Sequence, residues 1–214
     1  GIIYVPTDKS ISIRALILSS ICLGNSKIYN LLESEDVLNT LKSLKILGVK
    51  ILKKKGFHEI YGNGGIFKNP NKNLYLGNSG TGLRLLTGLL SSQNFKSVLA
   101  GDTSLSNRPM KRISDPLIKM SAKISTTNGS LPLTIYGSNL IASNINLEIP
   151  SAQIKSGLLL ASLNTSGETT ITENKTTRDH TEIMLKSFGS NIKIKKIDNK
   201  KIIKIIGKKE LISK

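Results

Sequence analysis

Three segments of this 214-residue chain place a polar turn in front of an apolar helix, and their starts lie about 70 residues apart. They are Asp8-Lys9-Ser10-Ile11-Ser12-Ile13-Arg14, Gly77-Asn78-Ser79-Gly80-Thr81-Gly82-Leu83-Arg84 and Ser151-Ala152-Gln153-Ile154-Lys155-Ser156. Each is followed by an apolar helix, a short strand, a second helix and further strand. A period of this length marks stacked supersecondary units that bury their apolar faces against one another. It predicts an α/β chain of three βαβαββ-like units, about 1–76, 77–150 and 151–214, with sheet outside and helix inside. Packed around a common axis, the three helix starts would face one place and bring Lys9, Arg14, Arg84 and Lys155 to it. Helix N-termini carry free N–H groups and the positive end of a dipole, so they favour anions. The expectation is a site for a small, multiply charged anion.

Local signals fill in each unit. In the first, residues 10–23 read as a helix stopping at Gly24, and 27–31 as a strand. Ser34 caps a second helix with Glu35 and Asp36 in its first turn, Gly48 closes it, and 49–52 alternate as a strand. In the second unit the helices are 81–90 and 109–120, the latter with Pro109 at its first turn. Its strands are 97–100, 133–136 and 145–149. In the third, 152–163 and 179–188 are helices, and 169–172, 192–194 and 202–206 are strands.

A net charge of +17, from 31 Lys+Arg against 14 Asp+Glu, raises nucleic acid as a partner. The lysines are scattered or gathered late, in Lys193, Lys195, Lys196, Lys200, Lys201 and Lys204. There is no tryptophan and only 4% aromatics, so platforms for stacking bases are scarce. The balance reads as solvated lysines rather than a nucleic-acid face. Apolar runs such as 15–18 and 157–161 are too short to span a bilayer. The single cysteine, Cys22, reads as a buried thiol on the apolar face of the first helix. With no export signal in view, the expected compartment is the cytoplasm, away from membranes.

In the first segment Ser10 and Arg14 are four apart and share a helix face beside Lys9. An ammonium, a hydroxyl and a guanidinium fork suit phosphate or carboxylate. An ordinary N-cap with a surface arginine fits the same residues equally well. The second segment, Gly77-Asn78-Ser79-Gly80-Thr81, is glycine-rich enough for backbone to approach a ligand. It lacks the Gly-Lys-Ser/Thr ending of a nucleotide-binding loop, and alone it reads as a plain strand-to-helix turn. In Gly101-Asp102-Thr103-Ser104-Leu105-Ser106-Asn107-Arg108-Pro109-Met110, a rigid proline fixes Arg108 at a helix start, positioned for an anion.

Val5-Pro6 through Arg14, Gly77 through Arg84, Arg108-Pro109-Met110, Ser151 through Ser156 and Thr177-Arg178-Asp179-His180-Thr181-Glu182 follow one another as in 5-enolpyruvylshikimate-3-phosphate (EPSP) synthases. The chain resembles that family from end to end. The resemblance implies an inside-out α/β fold, complete as two domains of three units each. These residues then form one shikimate-3-phosphate-binding domain over 1–214, half of the EPSP synthase-like fold, with the second, catalytic domain absent. The implied reaction moves the enolpyruvyl group of phosphoenolpyruvate to the 5-hydroxyl of shikimate 3-phosphate and releases phosphate, in aromatic amino acid biosynthesis. It needs neither metal nor organic cofactor.

Matched by motif, the family's roles fall on particular residues. Lys9 touches both substrates and is the catalytic residue carried here. Ser10, Arg14, Ser151, Ala152, Gln153, Thr177 and Arg178 hold shikimate 3-phosphate. Gly80, Arg108 and Gln153 meet phosphoenolpyruvate, and Gly80 is where the inhibitor glyphosate fits in sensitive members. Asn78 and Thr81 shape the turn, and Glu35 braces it. The family's proton-transfer residues, an aspartate and a Glu-Lys pair, belong to the second domain, so these residues alone are expected to bind without turnover. His58, expected in a variable loop, and His180, expected in the first turn of its helix, are not substitutes. The chain departs from the family pattern at Thr7 (usually Gly), Ile13 (usually His) and Gly82 (usually Thr or Ala). A rival in the same fold, UDP-N-acetylglucosamine enolpyruvyl transferase, typically has Lys-Asn in the first motif and a reactive cysteine before the Arg-Pro pair. Here Lys9-Ser10 stands in the motif, and no cysteine lies between Gly101 and Asn107. The remaining alternative is a non-enzymatic basic module that binds nucleic acid.

Overall fold

Apolar pattern decides which layer each element occupies. The computed structural model describes residues 7–213, so Val5 and Pro6 of the first motif lie outside it. Among the described residues the first unit runs α1 (Lys9–Ile21), β1 (Leu23–Tyr29), α2 (Glu35–Ile46), β2 (Lys50–Lys54) and β3 (Phe57–Asn63). The second runs β4 (Leu74–Tyr75), α3 (Gly80–Ser91), β5 (Lys96–Ala100), α4 (Thr103–Ser106), α5 (Lys111–Lys119), β6 (Lys123–Thr127) and β7 (Ser130–Tyr136). The third runs β8 (Asn144–Leu147), α6 (Ala152–Leu163), β9 (Glu168–Glu173), α7 (His180–Ser187), β10 (Asn191–Ile197) and β11 (Lys200–Ile206).

Each unit folds its own sheet, in the orders β1-β3-β2, β4-β5-β7-β6 and β8-β9-β11-β10. The pairs β4–β5 and β8–β9 are parallel, because α3 and α6 carry the chain back across the sheet between them. The strand expected at 145–149 therefore opens the third unit instead of closing the second. The sheets turn alternate residues inward: in β11, Lys201, Ile203 and Ile205 are buried while Lys200 and Ile206 are not. At the centre stand α1, α3 and α6. Every residue of α3 is buried, which requires the polar ones to be small or bonded to backbone. Thr87 donates to the Leu83 carbonyl at 2.8 Å and Ser91 to the Thr87 carbonyl at 2.7 Å. Fully buried Leu16, Ile17, Leu83, Leu86, Leu158 and Leu159 fill the space between the helices. Burying each such side chain contributes about 1.5–3 kcal/mol.

The closest helix contact is made without side chains. A Cβ on Gly88 of α3 would stand 1.9 Å from the Gly157 carbonyl oxygen of α6, and a Cβ on Gly157 would stand 2.6 Å from the Arg84 carbonyl oxygen. Glycine inside a helix costs about 0.5–1 kcal/mol relative to alanine. Here it lets two backbones touch.

Several boundaries differ from the sequence reading for local reasons. Helix α1 stops at Ile21, and β1 begins at Leu23 because it pairs along its whole length with β3, from Leu23 opposite Asn63 to Tyr29 opposite Phe57. The sequence of β3 carries His58, Glu59 and Gly62, and pairing on both sides overrides that weak strand signal. His58 is thus a buried strand residue, not a loop residue. Helix α5 begins at Lys111, not Pro109. The Met110 N–H is tied to the Gly129 carbonyl at 2.9 Å, and residues 103–106 form the separate helix α4 under the Asp102 cap. Cys22 follows the last turn of α1, where its thiol donates to the Leu18 carbonyl and burial pushes its pKa up to about 12. Gly82 stands against Thr40, whose hydroxyl would lie 2.5 Å from an added Cβ. A side chain at position 82 would have to displace that hydroxyl or the Ser79 hydroxyl beside it. Among the described residues, no helix is long and apolar enough to cross a membrane.

Candidate functional site

The starts of α1, α3 and α6 meet. Each is capped by its own side chain: Asp8 accepts from the Ile11 N–H at 2.7 Å, Ser79 from Gly82 at 3.1 Å and Ser151 from Ile154 at 3.4 Å. Gln153, in the first turn of α6, joins two of them. Its Oε1 accepts from Arg84 Nη1 at 2.9 Å, and its Nε2 donates to Thr81 Oγ1 at 3.1 Å. Arg84 also donates to the Gly80 carbonyl at 3.1 Å.

Arg14 ties α1 to the third unit. Its Nε donates to Thr181 Oγ1 at 2.7 Å, Nη2 to Ser156 Oγ at 2.9 Å and Nη1 to the Ser10 carbonyl at 3.0 Å. The side chain is buried, and burial lowers its pKa from the ordinary value, with Glu182 and Asp8 opposing. A guanidinium stays charged through such a shift.

Seven residues that the motifs single out separately, Ser10, Arg14, Ser151, Ala152, Gln153, Thr177 and Arg178, line one open cavity of about 500 Å³. Pro150, Thr176 and His180 complete its wall. His180 is the first residue of α7, and its buried Nδ1 has no hydrogen-bond partner among the described residues. A hollow of similar size, about 510 Å³, lies at the opposite ends of the same helices, beside Ile21, Ser92 and Asn164, and gathers none of the motif residues.

A second group of cations adjoins Gln153. Arg108 donates to Asn78 Oδ1 and, at 3.5 Å, to Ser104 Oγ. A Cβ on Gly80 would stand 2.8 Å from Arg84 Nη1, 3.1 Å from Arg108 Nη1 and 3.9 Å from Gln153 Oε1. The bare glycine is what lets two guanidiniums close on one backbone atom. Burial lowers the Arg84 pKa, and the like charges of Arg108 and Arg112 lower it further. Among the described residues, carboxylates pair with lysines and with His58, and with none of Arg14, Arg84, Arg108 or Arg178. The site therefore gathers arginines from converging elements that form no direct ion pair, with Glu182 and Asp8 acting on Arg14 only from a distance, a field suited to a polyanion.

The other predicted residues fall as follows. Lys9 is exposed outside the cavity wall, its ammonium 2.6 Å from Asp36 Oδ2. Asn78 and Thr81 do more than shape a turn, since they hold the side chains of Arg108 and Gln153. Glu35 flanks the Gly77 turn, with Asn39 nearer to it. Lys155 is the correction. It does not face the anion site but is fully buried, its ammonium 2.8 Å from Glu173 and 2.8 Å from Glu182. Two residues beyond Gln153 it points about 200° around the helix, away from the cavity. Ser156 and Thr181, which orient Arg14, stood in the quoted motifs without a role. For Ser156 the available signal was its spacing of four from Ala152 on one helix; for Thr181, outside any helix shared with Thr177, there was none.

A family model described as EPSP synthase (3-phosphoshikimate 1-carboxyvinyltransferase) matches residues 1–214. A 3-phosphoshikimate 1-carboxyvinyltransferase of Bartonella henselae is 48% identical over 200 residues, 92% of this chain and 45% of the relative. That of Ruthia magnifica is 48% identical over 213 residues, 99% of this chain and 48% of the relative. A solved EPSP synthase structure from Acinetobacter baumannii superposes with a TM-score of 0.91 at 45% identity, covering 99% of this chain and 48% of the other. The chain spans about half the length of the curated relatives it matches.

Proposed function

Because this chain belongs to the EPSP synthase family, we propose that its cavity holds shikimate 3-phosphate for transfer of the enolpyruvyl group of phosphoenolpyruvate to the substrate's 5-hydroxyl, with release of phosphate. One observation carries the reading: Ser10, Arg14, Ser151, Ala152, Gln153, Thr177 and Arg178, scattered over the sequence, line a single cavity with two arginines that form no ion pair with a carboxylate among the described residues. Residues 1–214 form one substrate-binding domain of three repeats in this proposal.

The division of labour proposed here is the family's, carried onto these positions. Ser10, Arg14, Ser151 and Arg178 supply donors and charge for the 3-phosphate, and Thr177, Gln153 and the Ala152 backbone orient the ring. Arg108, held by Asn78, meets phosphoenolpyruvate beside Gly80. Gln153 stands between the two groups through its bond to Arg84. Lys9 exchanges Asp36 for substrate anions as both arrive. Glyphosate, an anion, is expected at the same Gly80–Arg108 corner. Cations aimed at both reactants reduce their mutual repulsion, and alignment of two reactants contributes up to ~7–11 kcal/mol. Fixed donors stabilise the charged intermediate further. The proposal assigns proton transfer to the additional length seen in the relatives, and places the reaction in the cytoplasm, where a lone thiol such as Cys22 stays reduced.

The test is a titration of shikimate 3-phosphate followed by amide shifts. Shifts gathered at Lys9, Arg14, Ser151 and Gln153 are expected. No response, with salt-sensitive nucleic-acid binding instead, sinks the reading. Supplying the remaining length of the enzyme restores turnover, and Lys9→Ala or Arg108→Ala then abolishes it. Turnover by residues 1–214 alone contradicts the assignment of proton transfer elsewhere.

A further inference from the structure

Behind the cavity wall lies a group of buried charges that the proposed chemistry does not use. Lys155, Glu173 and Glu182 have fully buried side chains, and that of Lys201 is 3% exposed. The Lys155 ammonium sits 2.8 Å from Glu173 Oε2 and 2.8 Å from Glu182 Oε1, and Lys201 Nζ sits 3.0 Å from the same Glu182 oxygen. Replacing such a group by apolar side chains is often neutral or stabilising, so its presence is a poor source of stability. Its placement points to another role.

Glu173 is the last residue of β9 and Glu182 the third of α7, so one ammonium grips both ends of the arm 174–179 that joins them. That arm supplies Thr176, Thr177 and Arg178 to the cavity. Thr177 is tied down within it, because its hydroxyl donates to Glu173 Oε1. At the other end, Thr181 beside Glu182 accepts from Arg14 Nε. Two lysines against two glutamates cancel, so the charge of the neighbouring Arg14 is left over, and Arg14 is the member that lines the cavity.

We propose that Lys155 is a positioning residue: by drawing Glu173 and Glu182 together, it fixes the arm 174–179 and Arg14 in the geometry that receives the 3-phosphate sugar. The part about the ligand rests on the function proposed above. The part about the arm does not. Lys155→Met removes the charge at similar length and leaves Glu173 with Thr177 alone. Lys155→Met/Glu173→Gln removes both charges and keeps an amide oxygen to accept from Thr177.

Hydrogen exchange of the ligand-free chain tests the arm. The amide of Ile183, which donates to the Asp179 carbonyl of the arm at 3.0 Å, is expected to exchange roughly tenfold faster in Lys155→Met, with those of Leu158 and Leu159 in α6 unchanged. Equal exchange in variant and wild type overturns the proposal, as does uniform acceleration in both places. Calorimetric titration of shikimate 3-phosphate tests the consequence: the Kd should rise roughly tenfold in Lys155→Met and stay raised in the double variant, which leaves no ion pair joining Glu173's position to Glu182. A double variant restored to within about threefold of wild type overturns the proposal, because the loss then came from the unpaired Glu173 charge and not from the missing clamp. Should Lys155→Met not fold, Thr177→Val cuts only the arm's link to Glu173 and is expected to reproduce the faster exchange; an unchanged arm overturns the proposal. If the wild-type chain ignores shikimate 3-phosphate, the cavity reading fails, and the exchange data still decide the role of Lys155.

Discussion

Alanine at position 88 separates packing from chemistry better than any substitution in the site. The added methyl would lie 1.9 Å from the Gly157 oxygen, 2.5 Å from its carbonyl carbon and 2.8 Å from its α-carbon, where ordinary contact begins at 3.4 Å. All three atoms are backbone, so no side chain can swing aside, and α3 and α6 must part by about 1.5 Å. Overpacking of this kind costs about 1–3 kcal/mol, the upper end applying to a rigid neighbour. Alanine returns about 1 kcal/mol through helix propensity. The net expectation is about 2 kcal/mol of lost stability, or about 4–8 °C in Tm for a domain of this size. Gly88 and Gly157 each lie one turn below the residues that join the site, Arg84 and Gln153. Opening the contact therefore stretches their 2.9 Å hydrogen bond. Urea denaturation followed by circular dichroism measures the first effect, and the amide shift of Gln153 the second. Gly157→Ala, which meets Arg84 oxygen at 2.6 Å and the movable end of Ile113 at 2.9 Å, should cost less. A Gly88→Ala protein as stable as wild type, or less damaged than Gly157→Ala, refutes the argument.

Gly80→Ala should behave in the opposite way. Its methyl meets only the ends of Arg84 and Arg108, at 2.8 and 3.1 Å, so stability stays within about 1 kcal/mol of wild type while both guanidinium NMR signals move. Unmoved arginine signals contradict the packing described. Arg14→Lys loses the planar fork that reaches Thr181, Ser156 and the Ser10 carbonyl at once. It should lower stability by about 2 kcal/mol in denaturant titration and weaken shikimate 3-phosphate binding roughly tenfold by calorimetry. Burial lowers the pKa of His58, with Glu33 opposing, so the unfolded chain takes up the proton first as pH falls. Stability is full above the ordinary histidine value, declines below it and levels off under the depressed folded value. Comparing unfolding free energies between about pH 7 and pH 5, His58→Asn should flatten that decline, and an unchanged slope assigns it to other groups.

Periodicity made the three units legible, because each core helix repeats a polar start and an apolar body. Residues 152–163 were readable as a helix to the residue, since Ser151 caps it and Asn164 ends it. Strand β3 was hidden because its identity depends on partners on both sides, Leu23 to Tyr29 and Lys50 to Lys54, that only the folded chain supplies. The site divided along the same line. Ser10 and Arg14 were visible because a spacing of four fixes a helix face, and Ser151 and Gln153 because their motif resembles the family's. Lys155 was misplaced because a basic residue at a helix start looks the same in sequence whether it turns toward the ligand or toward Glu173 and Glu182. Thr181 and Ser156 had no role until tertiary contact brought them to Arg14.

The meeting of three helix starts also sets when in folding the site comes into being. The bonds that build it join residues 69 and 72 positions apart at Gln153, and 142 and 167 positions apart at Arg14. Contacts of such long range are rewarded only after the intervening chain has been ordered, so they belong to the end of assembly. A unit can acquire its sheet by itself, and the second can tie Arg108 to Asn78 within its own length, but no single unit can complete the site. The proposed recognition of ligand is thereby a property of all three units together, and a partly unfolded copy lacks the links at Arg14 and Gln153 that complete the site.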